Sequence, residues 1–176
     1  FLKRSFSDYE WFWRRFFKDI NFKWDIEFEK VVDLSQGKPF AKWFINGKLN
    51  ISKNCLDYNN LNKIALISED ETGRVRTYTY NELLKEVNKL SNALLNLGIK
   101  EGDRIAIYLP FIPEVVISLL AISRIGAIAV PLFSGFSEEP IKLRLNISKS
   151  KLVITANGYI RRGKIIRMKD ILDRAL

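Results

Sequence analysis

The sequence contains no histidine and only one cysteine, Cys55, among its 176 residues. Without histidine, this chain cannot form a Ser-His-Asp triad or a Cys-His pair, and it lacks the commonest metal-ligating side chain. A single cysteine allows no internal disulfide, which favours a reducing compartment, and we expect a cytoplasmic location. We expect Cys55 itself to be a small buried side chain without a catalytic role.

The common short nucleotide-binding and hydrolase signatures are also absent. The sequence has no GxGxxG, no GxSxG and no metal-ligand cluster. Its Gly-Lys pairs at 37–38, 47–48 and 163–164 lack the upstream glycine and the following Ser or Thr of a phosphate-binding P-loop. Taken alone, the residues indicate a scaffold with a candidate anion site rather than a reaction centre.

Charge and hydrophobicity are typical of a globular protein with an anionic partner. Hydrophobic residues make up 47% of the chain and charged residues 28%, which is enough for a domain with a core. The net charge of +9 favours a nucleotide, a coenzyme phosphate, a nucleic acid or a membrane surface as partner. Only Arg124 is charged between Val115 and Phe136, but Gly126 and Pro131 interrupt this span, so we interpret it as a core helix and a buried strand.

The first part of the chain, residues 1–62, is predicted to be a helical and loop-rich extension. Apolar and aromatic residues at helical spacing predict two amphipathic helices, Asp8–Asp19 and Lys23–Asp33. Residues 35–62 are rich in turn-forming residues. Within them, LNISKNCLDY (Leu49–Tyr58) is expected to hold one or two helical turns.

Residues 63–176 alternate between strand and helix patterns, which predicts an α/β fold with a mainly parallel sheet and flanking helices. The predicted strands are Ile64–Ser68, Val75–Thr79, Arg104–Leu109, the fully buried Ala127–Phe133, and Leu152–Thr155. The predicted helices begin at the capping box Thr79–Glu82, at Pro113, at Ser137 and at Met168. Between them, Asn157–Lys164 is predicted to be a basic, glycine-containing loop.

Three segments are candidates for ligand contact. The run from Arg104 to Phe133 forms a βαβ unit, and ligands of such sheets bind beyond the carboxyl ends of the strands. This edge of the sheet is expected to carry Leu109–Phe111 and Phe133–Phe136, although Phe133–Ser137 also fits a simple strand-to-helix turn. Arg161–Lys164, backed by Arg167 and Lys169, suits phosphate because guanidinium groups bind it with two hydrogen bonds, although it also fits a solvated basic turn. In Pro110–Glu114, the carboxylate is interpreted as a partner of its own helix dipole.

The residue sequence of several blocks carries more information than these secondary-structure patterns. The blocks are KWFINGKLNISKNCLD (Lys42–Asp57), RTYTYNELLKEVNKLSNAL (Arg76–Leu94), GIKEGDRIAIYLPFIPE (Gly98–Glu114), SRIGAI (Ser123–Ile128), FSGFSEE (Phe133–Glu139) and LVITANGYIRRGKIIRMKDILDRAL (Leu152–Leu176). In this order they closely resemble the N-terminal part of the large domain in the acetyl-CoA synthetase branch of AMP-forming acyl-CoA synthetases.

The resemblance implies a ligase that uses ATP, coenzyme A and Mg²⁺. In this family an acid and ATP give an acyl adenylate and pyrophosphate, and the thiol of coenzyme A then attacks the adenylate. The family's phosphate loop, adenine-binding segments and catalytic lysine lie downstream of the resembling region, so no catalytic residue is assigned. We therefore expect the 176-residue chain alone to be inactive and to bind none of these ligands tightly.

What the resemblance assigns here is one wall of the coenzyme A site. Phe133, Ser134 and Gly135 match an aromatic-Gly-Gly stretch beside the nucleotide and the pantetheine path, and Arg161 and Lys164 match two basic positions that meet the coenzyme's phosphates. Ser134 stands where the family usually has glycine, and Ala129–Pro131 replaces a segment that commonly contains histidine in acetate enzymes. The acid is therefore left open among short-chain acids such as acetate and propionate.

Two other functions remain open at this level. The chain could be a non-catalytic assembly module that pairs with a second polypeptide, or with itself, through an apolar face left exposed where the remainder of the large domain would pack. Its charge of +9 could instead serve a nucleic-acid or membrane surface, although we expect neither as a partner.

Overall fold

The computed structural model describes residues 1–176, and the chain divides into two compact units, Phe1–Asn50 and Ile51–Leu176. The short helix that contains Cys55 belongs to the second unit, where it contacts two longer helices. The domain boundary predicted between residues 62 and 63 stays a prediction.

The first unit is built around an aromatic cluster. Its elements are α1 (Leu2–Ser7), α2 (Tyr9–Asp19), β1 (Lys30–Asp33), a short 3-10 helix (Lys38–Phe40) and β2 (Lys42–Ile45). Asp8 caps α2 by accepting a hydrogen bond from the backbone N–H of Trp11 at 3.0 Å. The ring of Phe17 lies 5.3 Å from those of Trp24 and Phe44, and these rings cover the buried Val31.

The helix predicted over Lys23–Asp33 is wrong. Lys30–Asp33 forms β1, which pairs antiparallel with β2, and Ile26 bridges to Lys48. The apolar residues Phe22, Trp24, Ile26 and Phe28 recur at every second position, which is the period of extended chain. That signal, together with the available partner strand, outweighs the weaker helical spacing.

The second unit contains the α/β region. Its elements are α3 (Ile51–Leu56), β3 (Ile64–Glu69), β4 (Val75–Thr79), α4 (Tyr80–Asn96), β5 (Arg104–Tyr108), α5 (Pro113–Arg124), β6 (Ile128–Leu132), α6 (Glu138–Ser148), β7 (Leu152–Thr155), β8 (Tyr159–Arg161), β9 (Lys164–Ile166) and α7 (Met168–Ala175). The strands form a parallel sheet of order β6-β5-β7 and the antiparallel pairs β3-β4 and β8-β9.

The parallel sheet separates two apolar cores. In β5, side chains alternate between the two faces: Ile105 and Ile107 face the cluster with α4 and α5, whereas Ala106 and Tyr108 face the cluster with α6 and α7. The sheet and its flanking helices confirm the predicted α/β class.

Local signals place the elements of this unit well. Thr79 and Glu82 form the capping box that begins α4, and Pro113 begins α5. One expectation is wrong: β6 is not fully buried, and Ile128 at its start is 49% exposed. The reason is topological, because the strand order leaves β6 at an edge of the sheet.

The apolar run after Val115 is divided between α5 and β6, as the interpretation of that span required. None of the helices combines the length and the hydropathy needed to cross a membrane.

Candidate functional site

The loop from Phe133 to Ser137 joins the carboxyl end of β6 to α6. It is held by the phenol of the buried Tyr108, which donates to the carbonyl oxygen of Phe136 at 3.1 Å. Within the loop, the N–H of Phe136 donates to the carbonyl oxygen of Phe133 at 3.0 Å. The rings of these two phenylalanines meet edge to face at 5.6 Å. The loop is therefore a defined turn whose Phe133 ring is half exposed.

The carboxyl ends of β5 and β6 enclose an apolar cavity of about 150 Å³. It is lined from one side by Leu109 and Phe111 and from the other by Leu132, Phe133 and Ser134. The sequence predicted that these two segments share one edge of the sheet, because carboxyl ends of adjacent parallel strands lie together. The structure confirms this juxtaposition.

The basic segment after β7, which the sequence predicted to be a basic, glycine-containing loop, is a hairpin. Arg161 at the end of β8 pairs with Lys164 at the start of β9. Arg162 and Gly163 between them have φ values of 52° and 71°, the backbone of a two-residue type I′ turn. The short strands escaped notice because three residues are too few to show a periodic pattern.

The hairpin and the β6 loop meet at Gly135. A Cβ atom on Gly135 would lie 2.6 Å from Cε1 of Phe133 and 3.1 Å from Nη1 of Arg161. No larger residue fits there without displacing one of these side chains. The five predicted site residues therefore form one patch: Phe133, Ser134, Gly135, Arg161 and Lys164.

The charge of this patch is positive and accessible. Arg161 and Lys164 are exposed and have no carboxylate ion-pair partner. The other two cations that the sequence grouped with them are already paired, Arg167 with Asp170 and Lys169 with Asp173. Arg161, Lys164 and the neighbouring exposed Arg162 are thus the cations of this segment that have no carboxylate ion-pair partner within the chain.

Glu114 and Cys55 take no part in this patch. Glu114 accepts hydrogen bonds from both terminal nitrogens of Arg76, at 2.7 and 2.9 Å, and this pairing lowers the pKa of its carboxyl group. Cys55 is exposed, contrary to the expected buried position, while partial desolvation raises the pKa of its thiol. A raised thiol pKa does not favour a nucleophile.

Sequence reasoning missed two residues that hold the patch in place, Tyr108 and Glu71. The carboxylate of Glu71 accepts a hydrogen bond from the backbone N–H of Arg162 at 2.6 Å. Glu71 and Arg162 are 91 positions apart, so no local sequence pattern indicates their contact. The role of Tyr108 was missed for a similar reason, because its strand pattern predicts burial but does not predict the partner of its hydroxyl group.

No group of three or more His, Cys, Asp or Glu side chains is placed to hold a metal ion. No residue of the chain is therefore assigned to the Mg²⁺ that the resemblance implies.

Comparison with known proteins places this fold in a family. The family model described as AMP-binding enzyme matches residues 55–174, and the model described as acetyl-coenzyme A synthetase N-terminus matches residues 1–55. The acetyl-coenzyme A synthetase of Helicobacter pylori (strain G27) is 46% identical over 174 residues, which cover 97% of this chain and 26% of the relative. That of Laribacter hongkongensis is 40% identical over 177 residues, with 99% and 27% covered.

A solved structure gives the same result. The acetoacetyl-CoA synthetase from Streptomyces lividans superposes with a TM-score of 0.89 at 26% identity, covering 98% of this chain and 27% of that one. The chain thus spans about a quarter of the length of the relatives it matches. With two family models that together account for residues 1–174, the chain belongs to the AMP-binding enzyme family and corresponds to the N-terminal part of its acetyl-coenzyme A synthetase branch.

Proposed function

We propose that this chain provides one wall of the coenzyme A site in an AMP-forming acyl-CoA synthetase. The reaction would join a short-chain acid, such as acetate or propionate, to coenzyme A through an acyl adenylate, with ATP converted to AMP and pyrophosphate. Phe133, Ser134, Gly135, Arg161 and Lys164 would form the wall. The observation that carries the proposal is the approach of the Arg161 guanidinium to Gly135, which brings the two matched segments together.

The chemistry of the patch suits a phosphorylated nucleotide. A guanidinium group binds phosphate with two parallel hydrogen bonds, and a lysine on the paired strand adds a second cation. Gly135 offers a backbone surface without a side chain, so a ligand can approach closely. The half-exposed ring of Phe133 offers an apolar face on which a base can stack. These groups bind and orient, and none of them supplies an acid, a base or a nucleophile.

The cavity at the carboxyl ends of β5 and β6 supports a position for the pantetheine arm of coenzyme A. It opens beside Phe133 and Ser134 and is lined almost entirely by apolar side chains. An uncharged, partly apolar arm such as pantetheine would suit this lining better than a second phosphate group. The side chain of Ser134 leaves less room for the coenzyme to approach the loop backbone than the glycine that is usual in the family.

The proposal is tested by titrating the isotope-labelled chain with coenzyme A and following its amide resonances by NMR. We expect shifts at Gly135 and Gly163, with weak affinity because only one wall is present. Arg161→Ala should weaken binding about tenfold or more, as expected for loss of a charge-assisted pair. The control Lys85→Ala removes an exposed positive charge from α4, which packs on the face of the sheet opposite α6 and α7, and it should change affinity by less than about twofold. Equal losses in both variants would contradict a built site.

The alternatives raised by the sequence are not favoured. The family match extends over nearly the whole chain, and the relatives are described as acetyl-coenzyme A synthetases. The cytoplasmic location, the absence of nucleic-acid and membrane partners, and self-association through an apolar face stay predictions.

A further inference from the structure

The tips of two hairpins touch in the second unit. One is the β3–β4 turn at residues 70–74, and the other is the β8–β9 turn at residues 161–164. The contact is the hydrogen bond of 2.6 Å from the Arg162 N–H to Oε2 of Glu71. Because the donor is a backbone group, the bond constrains the path of the turn itself rather than a mobile side chain.

Glu71 is presented by a turn that is itself fixed. Oδ1 of Asp70 accepts hydrogen bonds from the backbone N–H groups of Thr72 at 2.9 Å and Arg74 at 3.2 Å. The N–H of Gly73 donates to the carbonyl oxygen of Asp70 at 2.9 Å. An aspartate that bonds its own turn in this way rigidifies it. The Glu71 carboxylate therefore starts from a defined position.

The β3–β4 pair is in turn attached to the core. Leu66 and Tyr78 pack against the apolar cluster that contains α4 and α5. The two hydrogen bonds between Arg76 in β4 and Glu114 in α5 add a second attachment. A continuous set of contacts thus runs from α5 through β4 and Glu71 to the tip of the basic hairpin.

The basic hairpin needs such support. Its residue Arg162 has a left-handed backbone, which is disfavoured for any residue other than glycine. The hairpin consists of two strands of three residues each. Tyr159 and Ile166 at its base pack against the cluster with α6 and α7, whereas the Glu71 contact lies at its tip. Short two-stranded hairpins are marginally stable without packing partners.

We propose that Glu71 is a positioning residue for the phosphate groups of the coenzyme. By holding the Arg162 backbone, it keeps Arg161 over Gly135 and Lys164 opposite Arg161. The inference rests on the proposed function of those two cations. It also implies a second effect of opposite sign, because the Glu71 carboxylate lies near the phosphate site and would repel the ligand. The two effects are separable, since a glutamine side chain keeps a hydrogen-bond acceptor and loses the charge.

The experiment compares Glu71→Ala with Glu71→Gln in the coenzyme A titration. Removing the acceptor should weaken binding about three- to tenfold, the range for loss of one hydrogen bond. Glu71→Gln should keep the affinity within about twofold of the wild-type chain or tighten it, because the acceptor remains. Glu69→Ala is the matched control. Glu69 and Glu71 line one cleft between the β3–β4 turn and Tyr159, but Glu69 does not bond the basic turn, so its removal should not weaken binding.

A second readout does not depend on the ligand. The Arg162 amide resonance should move and exchange with solvent faster in Glu71→Ala than in Glu71→Gln, while the unfolding midpoints of both variants stay close to that of the wild-type chain.

The outcomes separate the two proposals. No coenzyme-dependent shift in the wild-type chain would remove the proposed function and this inference together. Binding to the wild-type chain with equal affinity in Glu71→Ala would overturn the inference alone. Tighter binding in both variants would also overturn it, since the carboxylate would then act only by repulsion.

Discussion

At the residue scale, Asp103 connects two parts of the second unit. Its side chain accepts a hydrogen bond from the Lys100 N–H at 2.9 Å and pairs with the ammonium group of Lys151 at 2.6 Å. Only 7% of the residue is exposed. The contact with Lys151, followed by the bond from Lys100, lowers the pKa of this carboxyl group.

We expect Asp103→Asn to destabilise the chain in a pH-dependent way. A carboxyl group whose pKa is lowered by folding contributes stability above its unfolded pKa, and that contribution is lost as pH falls through the lowered value. The variant should therefore have a lower urea midpoint than the wild-type chain at pH 7. The difference should shrink once the pH falls below about 4, the ordinary value for aspartate.

Urea titrations of both proteins at several pH values measure this. Asp170→Asn serves as the control, because Asp170 makes an exposed pair at 3.7 Å that is expected to contribute little at any pH. A difference for Asp103→Asn that is independent of pH would contradict the assignment.

Single residues differ in how far the sequence reveals them. The contact between Thr79 and Glu82 could be predicted because both residues lie in one helical turn, and the capping box forms as predicted. Glu71 gives no such signal, since its partner is far along the chain. The residues of the proposed coenzyme wall were assigned through the family resemblance. Their types and spacing alone fitted a strand-to-helix turn at Phe133–Ser137 equally well and favoured a solvated basic turn at Arg161–Lys164.

At the element scale, the β8–β9 hairpin is the part of the site that depends most on backbone fit. Gly158 lies just before β8, and a Cβ atom there would lie 2.5 Å from the carbonyl oxygen of Ile166. At Gly135 the crowding atoms belong instead to the ends of the Phe133 and Arg161 side chains. Side-chain ends move aside easily, whereas a backbone carbonyl in a paired strand does not.

Substitution by alanine should therefore affect stability at Gly158 and coenzyme A binding at Gly135. Gly158→Ala should lower the free energy of unfolding by about 1–3 kcal/mol, the usual cost of overpacking. Gly135→Ala should leave stability nearly unchanged and weaken coenzyme A binding, because Arg161 is displaced. Urea unfolding and the NMR titration measure the two effects. Unchanged stability in Gly158→Ala would show that the hairpin backbone is not fixed as described.

Elements with long periodic patterns were predictable, and short ones were not. The seventeen residues of α4 carry a repeated apolar stripe and a cap, so its position follows from local signals. β1, β8 and β9 have three or four residues each, and their pairing partners decide their structure. This is why the helix predicted over Lys23–Asp33 and the loop predicted over Asn157–Lys164 were wrong.

At the scale of the whole molecule, each unit has its own apolar cluster. Phe28, Val31 and Val32 form the buried part in residues 1–50, and the two clusters around the parallel sheet lie in residues 51–176. Within the second unit, the sheet has only three strands, and both of its outer strands are edges. Ile128 in β6 is among the apolar side chains left exposed there.

We expect the 176-residue chain to make no acyl adenylate. Adenylate formation needs groups that stabilise charge on the transferring phosphate, and no residue of this chain is assigned to ATP or to Mg²⁺. The measurement is acetate- and propionate-dependent ATP–pyrophosphate exchange with the pure protein, with a full-length relative as the positive control. Exchange above background that persists through purification would contradict the expectation.

The sequence by itself determined the α/β class, the positions of the long helices and the parallel strands, and the family, because these follow from periodicity, caps and residue blocks that are local in the chain. Only the tertiary structure decided that Arg161 lies over Gly135, that Glu71 holds the basic turn, and that β6 is an edge strand. These features join residues distant in sequence, and their energies depend on how the sheet and the hairpins pack, which no local pattern encodes.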